Sequence, residues 1–118
     1  ICYDLRFPEL FRELAINGAE VVFLPAAFNE VTGKDHWEPL IRARAIENQN
    51  YMVCPAIVGG YGAHGKRCYG RSMIVDPWGT VLAQAQDEPT TIVAAIDTER
   101  VTKIRRVLPS LANRRMAT

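Results

Sequence analysis

Short, continuous apolar runs alternate with amphipathic helical segments along the first half of this chain. In the first helical segment the apolar residues recur three and four positions apart, beginning one turn earlier at Phe7 and continuing through Leu10, Phe11, Leu14 and Ala15. Strands that are separated by helices usually form a sheet covered by those helices. This order of elements therefore predicts an α/β fold with a mixed sheet.

The first helix is bounded by residues that start and stop helices. Pro8 lies in its first turn, where the missing N–H costs nothing, and Asn17-Gly18 ends it. A short apolar strand follows over residues 20–24 and stops at Pro25. The chain then enters a second helical pattern.

The second helix is predicted to begin near Asp35, because Asp35 and Glu38 have the spacing of a capping box. It is predicted to end at about Asn48. The apolar residues that we expect to face the core are Trp37, Leu40, Ile41 and Ile46. A polar set at helical spacing is interpreted as one solvated face plus a buried pair that fixes the helix; its members are Arg42, Arg44, Glu47 and Asn48.

The second half of the chain is predicted to be mostly strands. Residues 51–58 form one strand closed by Gly59-Gly60, and the glycine-rich stretch 59–70 is predicted to be a mobile active-site or surface loop. Two further strands, 72–75 and 80–85, flank the Asp76-Pro77-Trp78-Gly79 turn of a β-hairpin.

The last elements are a strand and a helix. Residues 91–96 are predicted to be a buried strand, and Thr98 is predicted to cap a final helix that ends before Pro109. The helix has Val101, Ile104 and Val107 on one face.

Composition excludes several classes of protein. The net charge is only +1, from 14 Lys and Arg against 13 Asp and Glu, so a nucleic-acid partner is not expected. No apolar run approaches the roughly 20 residues of a membrane helix, so no membrane partner is expected.

The three cysteines, Cys2, Cys54 and Cys68, form no CxxC pair, which favours a reducing compartment such as the cytoplasm. A length of 118 residues suits one domain.

Cys2 is the strongest candidate for a catalytic residue. It lies between a predicted strand end and the first helix, where a tight turn can present a nucleophile. Thiolates are more reactive near a helix N-terminus and a cation, and Arg6 is one turn away. The backbone N–H of Tyr3 is a natural donor to an oxyanion. The alternative is that Cys2 is a small buried hydrophobe.

The segment around Cys2 resembles the nucleophile segment of the nitrilase superfamily of carbon–nitrogen hydrolases. The likeness runs in order along the chain, through Ile1-Cys2-Tyr3-Asp4-Leu5-Arg6-Phe7-Pro8-Glu9-Leu10, Leu24-Pro25-Ala26-Ala27-Phe28, Thr32-Gly33, His36-Trp37-Glu38, Arg42-Ala43-Arg44-Ala45-Ile46-Glu47-Asn48, Tyr69-Gly70-Arg71-Ser72 and Val75-Asp76-Pro77-Trp78-Gly79. The chain is most similar to the branch of small amidases that act on deaminated glutathione and on ω-amides of α-keto acids.

The resemblance implies half of a four-layer αββα sandwich and a thiol nucleophile, Cys2. In the family a glutamate base and a lysine assist the thiol, and both lie upstream of it. Because the chain starts at Ile1, we expect residues 1–118 to be a C-terminal fragment of the hydrolase domain. We expect it to hydrolyse a small-molecule amide or nitrile only together with the missing N-terminal half.

The resemblance also assigns substrate-binding residues. It implies that Arg6 binds the carboxylate of the substrate, that Phe28 forms a wall of the pocket and that Thr32 hydrogen-bonds the carboxylate end. Each residue has an ordinary alternative: an internal ion pair of Arg6 with Asp4 or Glu9, core packing for Phe28, and a simple turn at Thr32.

No metal or other cofactor is expected. Cys68 and His64 offer only two potential ligands, whereas a zinc site needs three or four. Family members generally pair as homodimers through this half, so a homodimer is expected for the full-length protein.

Two other hypotheses compete with the amidase. The first is a catalytically inactive, truncated or degenerate module that acts by binding. The second is an independent Cys–His hydrolase, which requires His36 or His64 within about 4 Å of the Cys2 sulfur.

Overall fold

Residues 1–116 of the computed structural model are described, and they form two β-sheets flanked by helices. The helices are a 3₁₀ helix over Cys2–Arg6, α1 over Pro8–Ile16, α2 over Glu30–Asn48 and α3 over Thr98–Val107. The strands are β1 (Val21–Phe23), β2 (Tyr51–Cys54), β3 (Val58–Tyr61), β4 (Lys66–Tyr69), β5 (Met73–Val75) and β6 (Val81–Gln84). The predicted α/β class is confirmed. Residues 117–118 at the end of the chain lie outside the described residues.

The larger sheet is mixed and has the strand order β1-β2-β5-β6. Strands β1 and β2 are parallel, with Val22 opposite Met52, as expected for strands that are joined through a helix. Strands β2 and β5 are antiparallel, and β5 and β6 form the predicted hairpin around the Asp76–Gly79 turn. The turn is closed by the Asp76 N–H, which donates to the Thr80 carbonyl at 2.9 Å.

Helix α2 begins at Glu30, five residues before the predicted start at Asp35. Asn29 caps it, because its side-chain oxygen accepts the Val31 N–H at 2.8 Å. An asparagine cap satisfies a first-turn N–H in the same way that the predicted Asp35 cap would have done, so the earlier cap extends the helix. The end of the helix at Asn48 is as predicted.

Trp37 and Ile41 are buried in the core, as predicted, but Ile46 is 51% exposed. Its side chain covers Gly79 instead of entering the core: a Cβ built on Gly79 would lie 2.4 Å from Ile46 Cγ1. Glycine in this turn therefore allows the helix to approach the hairpin closely.

The predicted strand over residues 51–58 is two strands. Strand β2 ends at Cys54, because Pro55 has no N–H for a ladder. The chain makes one bridge, between Ala26 and Ala56, before β3 begins at Val58. The predicted loop over 59–70 is in fact largely the β3–β4 hairpin, which pairs Val58 with Tyr69.

The predicted buried strand over residues 91–96 is wrong. This segment is not a strand, and Val93 is 83% exposed. Its apolar residues favour a strand locally, but no described strand pairs with it along its length.

Helix α3 is capped by Asp97, whose side chain accepts the Glu99 N–H at 3.0 Å, and not by Thr98. Val101 and Ile104 are buried, but Val107 is exposed. Three residues make slightly less than one turn of a helix with 3.6 residues per turn. Val107, two such steps after Val101, therefore no longer lies on the same face.

Gly33, near the start of α2, is packed directly against Tyr69 of β4. A Cβ at Gly33 would lie 2.5 Å from Tyr69 Cβ, an atom that no change of rotamer can move. We expect Gly33→Ala to lower the free energy of unfolding by about 1–3 kcal/mol, although alanine favours helix, because β4 must shift. Urea denaturation measures the change.

Gly60→Ala is the matched control for this substitution. The nearest atom to a Cβ at Gly60 lies at an ordinary contact distance of 3.7 Å. We expect a change within about 0.5 kcal/mol at this surface position. Equal stabilities for the two variants would show that the contact between Gly33 and Tyr69 imposes no constraint.

Candidate functional site

Cys2 occupies a strained turn at the start of the 3₁₀ helix. Its φ is +50°, in the left-handed region that non-glycine residues seldom adopt. The conformation is held by the Cys2 N–H, which donates to the Pro25 carbonyl at 2.9 Å. The thiol is half-buried and faces a pocket. Cys2 therefore packs against the edge of the core and also borders the pocket, so it is not a fully buried side chain.

The backbone N–H of Tyr3 is next to this thiol. A 3₁₀ helix pairs each N–H with the carbonyl three residues earlier, so the Tyr3 N–H has no partner within this helix. The Asp4 N–H, one residue later, already donates to the Ile1 carbonyl at 3.1 Å. An unpaired N–H beside a nucleophile can donate to an oxygen that becomes negative.

An open pocket of about 580 Å³ brings together all five residues predicted for the site. They are Cys2, Tyr3, Arg6, Phe28 and Thr32, and the remaining lining residues are Ala27, Asn29 and His36. Asn29 was not predicted as a lining residue. Its position after a strand and before a run of helical residues is a signal for a cap, and the pocket lies at that cap.

Arg6 extends along the wall of this pocket. Its guanidinium carbon lies 5.5 Å from the centre of the Phe28 ring and 6.0 Å from that of Tyr3, within the range of cation–π attraction. Among residues 1–116 it forms no ion pair, so the alternative of a pair with Asp4 or Glu9 is wrong. The Asp4 carboxylate contacts the amino group of Ile1 instead. Arg6 keeps its charge available to a ligand.

Phe28 is both a pocket wall and a core residue. It is 4% exposed and packs on Trp37, with ring centres 4.9 Å apart. Packing on the core holds the ring in place beneath Arg6. Thr32 lies in the first turn of α2, not in a simple turn, and its hydroxyl donates weakly to the Asn29 carbonyl at 3.4 Å.

The start of α2 adds positive potential to the pocket. Asn29, Thr32 and His36 lie on successive turns of one face, which lines the pocket. The N-terminus of a helix carries a partial positive charge and attracts anions. No acidic side chain among the described residues lines this pocket, so Arg6 and the helix N-terminus together favour an anionic ligand beside the thiol.

The turn that carries Cys2 is anchored on α2 by Arg44. This buried guanidinium donates two hydrogen bonds to the Leu5 carbonyl, from Nε at 3.1 Å and from Nη2 at 2.7 Å. Its Nη1 pairs with Glu47 at 2.7 Å. The pair interpreted from the sequence is present, with Arg44 buried and Glu47 half-buried, and Arg44 also holds the turn that carries Cys2.

A second, apolar pocket of about 460 Å³ lies on the other side of Cys2. Neither pocket is lined by a Glu, Asp or Lys side chain from residues 1–116. The Cys2 sulfur makes no hydrogen bond with His36 or His64 in the same range, and His36 contacts Arg6 instead. The hypothesis of a Cys–His hydrolase therefore has no support in the described geometry.

The other cysteines differ from Cys2 in their surroundings. Cys54 is buried, and burial raises the pKa of its thiol far above the ordinary value. Cys68 is buried on β4. In the described part of the chain no three His, Cys, Asp or Glu side chains cluster as a metal site would require. Nor does that part contain a helix long and apolar enough to span a membrane.

The chain matches the family model described as "Carbon-nitrogen hydrolase" over residues 1–106. It is 50% identical over 116 residues to the human deaminated glutathione amidase, a match that covers 98% of this chain and 35% of that protein.

Solved structures agree with this match. The NitFhit protein of C. elegans is 45% identical and superposes with a TM-score of 0.93, covering 97% of this chain and 27% of that one. An amidase mutant from Nesterenkonia sp. AN1, which carries a covalent acetamide adduct on its active-site cysteine, is 31% identical with a TM-score of 0.73, and the match covers 90% of this chain and 39% of that one.

These likenesses confirm the predicted nitrilase-type α/β fold. The chain spans less than half of the length of the relatives it matches. The matched region accounts for one part of the hydrolase domain in the solved structures.

Proposed function

Because this chain belongs to the carbon–nitrogen hydrolase family, we propose that it supplies the nucleophile and the carboxylate-binding site of a thiol amidase. The observation that carries the proposal is the position of Cys2. It lies on a strained turn next to the Tyr3 N–H, which has no hydrogen-bond partner among residues 1–116, at the edge of a cationic pocket. A thiol in such surroundings can form a covalent intermediate.

The reaction follows from this geometry. The Cys2 thiolate attacks the amide carbon, and the Tyr3 N–H donates to the oxygen as it becomes negative. The C–N bond breaks, the nitrogen takes a proton from an acid and leaves as ammonia, and a thioester remains on Cys2. Water that has lost a proton to the base then attacks the thioester, which releases the carboxylic acid and regenerates the Cys2 thiolate, while the proton stays on the base for the next turnover.

The acid–base residue and an oxyanion-stabilising lysine are proposed to come from outside this chain. Support comes from the two pockets at Cys2, which contain no Glu, Asp or Lys side chain from the described residues. The 118-residue chain is therefore proposed to be inactive alone and competent within a complete hydrolase domain.

The proposed substrate is the amide of a small acid that carries a second carboxylate. Arg6, which has no carboxylate partner among residues 1–116, and the N-terminus of α2 favour an anion at one end of the pocket. Relatives named deaminated glutathione amidase support a substrate of this class.

Assembly as a homodimer and a cytoplasmic location stay predictions. Helix α1 leaves apolar side chains exposed at Leu10 and Leu14, with Phe7 just before it, and such a stripe suits a protein partner.

The absence of an acid–base residue at the described pockets favours one other candidate, a module that binds small carboxylates without hydrolysing them. The two candidates differ in whether Cys2 becomes acylated.

Acyl-enzyme trapping tests the proposal. We expect acid quenching of the complete hydrolase domain during turnover of succinamate to give a succinyl thioester on Cys2, detected by mass spectrometry of peptides. Cys54 is the internal control, because its buried thiol with a raised pKa should carry no adduct. The isolated chain should release ammonia at least about a thousandfold more slowly than the complete domain. An unmodified Cys2 during turnover, or comparable rates for both proteins, would refute the proposal.

A further inference from the structure

His36 contacts Arg6 at the wall of the carboxylate pocket. It lies one turn after Thr32 on α2, and its Nδ1 is 3.3 Å from Nη1 of Arg6. A guanidinium has only N–H donors, so Nδ1 must accept this hydrogen bond. This hydrogen bond requires the tautomer that carries the ring proton on Nε2.

A neutral acceptor affects an arginine differently from a carboxylate. A carboxylate would orient the guanidinium but also neutralise its charge, whereas an imidazole orients it and leaves the full positive charge. Arg6 has five N–H groups, and His36 is its one side-chain hydrogen-bond partner among residues 1–116. The other N–H groups of the guanidinium are available to a ligand.

The aromatic ring below Arg6 completes the arrangement. Phe28 lies 5.5 Å from the guanidinium and is held by packing on Trp37. Arg6 is thus held on one face by a fixed ring and at Nη1 by His36. Restricting a long side chain before a ligand arrives lowers the entropy lost on binding.

We propose that His36 is a positioning residue that determines specificity: it holds Arg6 ready for the carboxylate end of the substrate without competing for its charge. This inference rests on the proposed function, since that function requires a carboxylate-bearing amide. It predicts that His36 affects the binding of anionic ligands and has no part in cleavage of the C–N bond.

Steady-state kinetics of the complete hydrolase domain test this role with two substrates, succinamate and the uncharged butyramide. We expect His36→Leu to raise KM for succinamate about tenfold, the effect of losing one hydrogen bond to a charged group, while its kcat is unchanged. Kinetics on butyramide should not change. His36→Gln should restore the low KM, because the glutamine side-chain oxygen can accept from Arg6. An equal rise in KM for both substrates, a fall in kcat alone, or a glutamine variant as impaired as the leucine variant would overturn the proposal.

A binding measurement separates this inference from the proposed function. In the Cys2→Ala background, calorimetry with succinate needs no turnover. We expect His36→Leu to weaken succinate binding about tenfold and His64→Leu, on the turn between β3 and β4 and outside the pocket lining, to leave it unchanged. If succinate binding depends on His36 but the domain that retains Cys2 hydrolyses no amide, only the proposed amidase activity is refuted. Hydrolysis at Cys2 with a succinate Kd unaffected by His36→Leu would overturn only the role of His36, whereas no succinate binding at all would overturn the proposed carboxylate site as well.

Discussion

Replacing Cys2 with alanine is expected to lower kcat for amide hydrolysis by the complete hydrolase domain by at least about 10⁴-fold. The substitution removes the sulfur that forms the thioester, and no second thiol among the described residues lines either pocket. Because the carboxylate site lies on Arg6 and α2, the Kd for succinate should stay within about twofold of the original value. Ammonia release and calorimetry measure the two quantities.

Cys68→Ala is the matched control for the loss of the nucleophile. Cys68 is buried on β4, lines neither pocket at Cys2, and is free like Cys2. We expect its removal to leave kcat within about threefold, at a modest cost in stability. A Cys2→Ala variant that retained hydrolysis, or a Cys68→Ala variant that lost it, would show that the reactive thiol is not Cys2.

Arg44→Met is expected to lower the free energy of unfolding by about 2–4 kcal/mol, the range for removing a buried, hydrogen-bonded charge. Arg44 is 6% exposed and supplies both side-chain hydrogen bonds to the Leu5 carbonyl. Methionine can fill the space over Phe11 but leaves that carbonyl unpaired. The 3₁₀ helix that carries Cys2 should loosen as a result.

Two measurements on Arg44→Met distinguish this anchoring role from a general loss of stability. Urea denaturation gives the free energy, and the rate of Cys2 alkylation by iodoacetamide, compared with the wild-type rate under native conditions, reports on the nucleophile turn. Arg42→Met is the control, because exposed Arg42 donates a single hydrogen bond within residues 1–116, from Nε to the Gly79 carbonyl at 2.8 Å, and its loss should cost about 1 kcal/mol or less. If both variants lower the free energy of unfolding equally and leave the rate of Cys2 alkylation unchanged, Arg44 does not anchor the turn that carries Cys2.

The local pattern of the chain was sufficient to predict most elements, and the family resemblance pointed to five residues that line one pocket. Helix α1, the β5–β6 hairpin and the end of α2 follow from apolar spacing, turn residues and helix-stopping residues. Cys2 was recognised because a thiol between a strand end and a helix is a typical position for a nucleophile. These signals are carried by residues within a few positions of each other, so they do not depend on long-range contacts.

The errors in the prediction arise where distant segments compete with local preference. Asn29 caps α2 before Asp35 can do so, and Pro55 divides one apolar run into two strands. Residues 91–96 favour a strand, but a strand needs a neighbour to accept its hydrogen bonds, and no described strand runs beside them.

The sequence by itself determined the α/β order of elements and, through the family resemblance, the proposal that Cys2 is the nucleophile, because helical periodicity, turns, caps and motifs are properties of neighbouring residues. Only the tertiary structure decided that Arg6 contacts His36 instead of Asp4 or Glu9, and that Arg44 bonds to Leu5 39 positions away. The physical reason is that a charged side chain can choose among several partners, and the packing of α2 against the 3₁₀ helix determines which of them comes within hydrogen-bond distance.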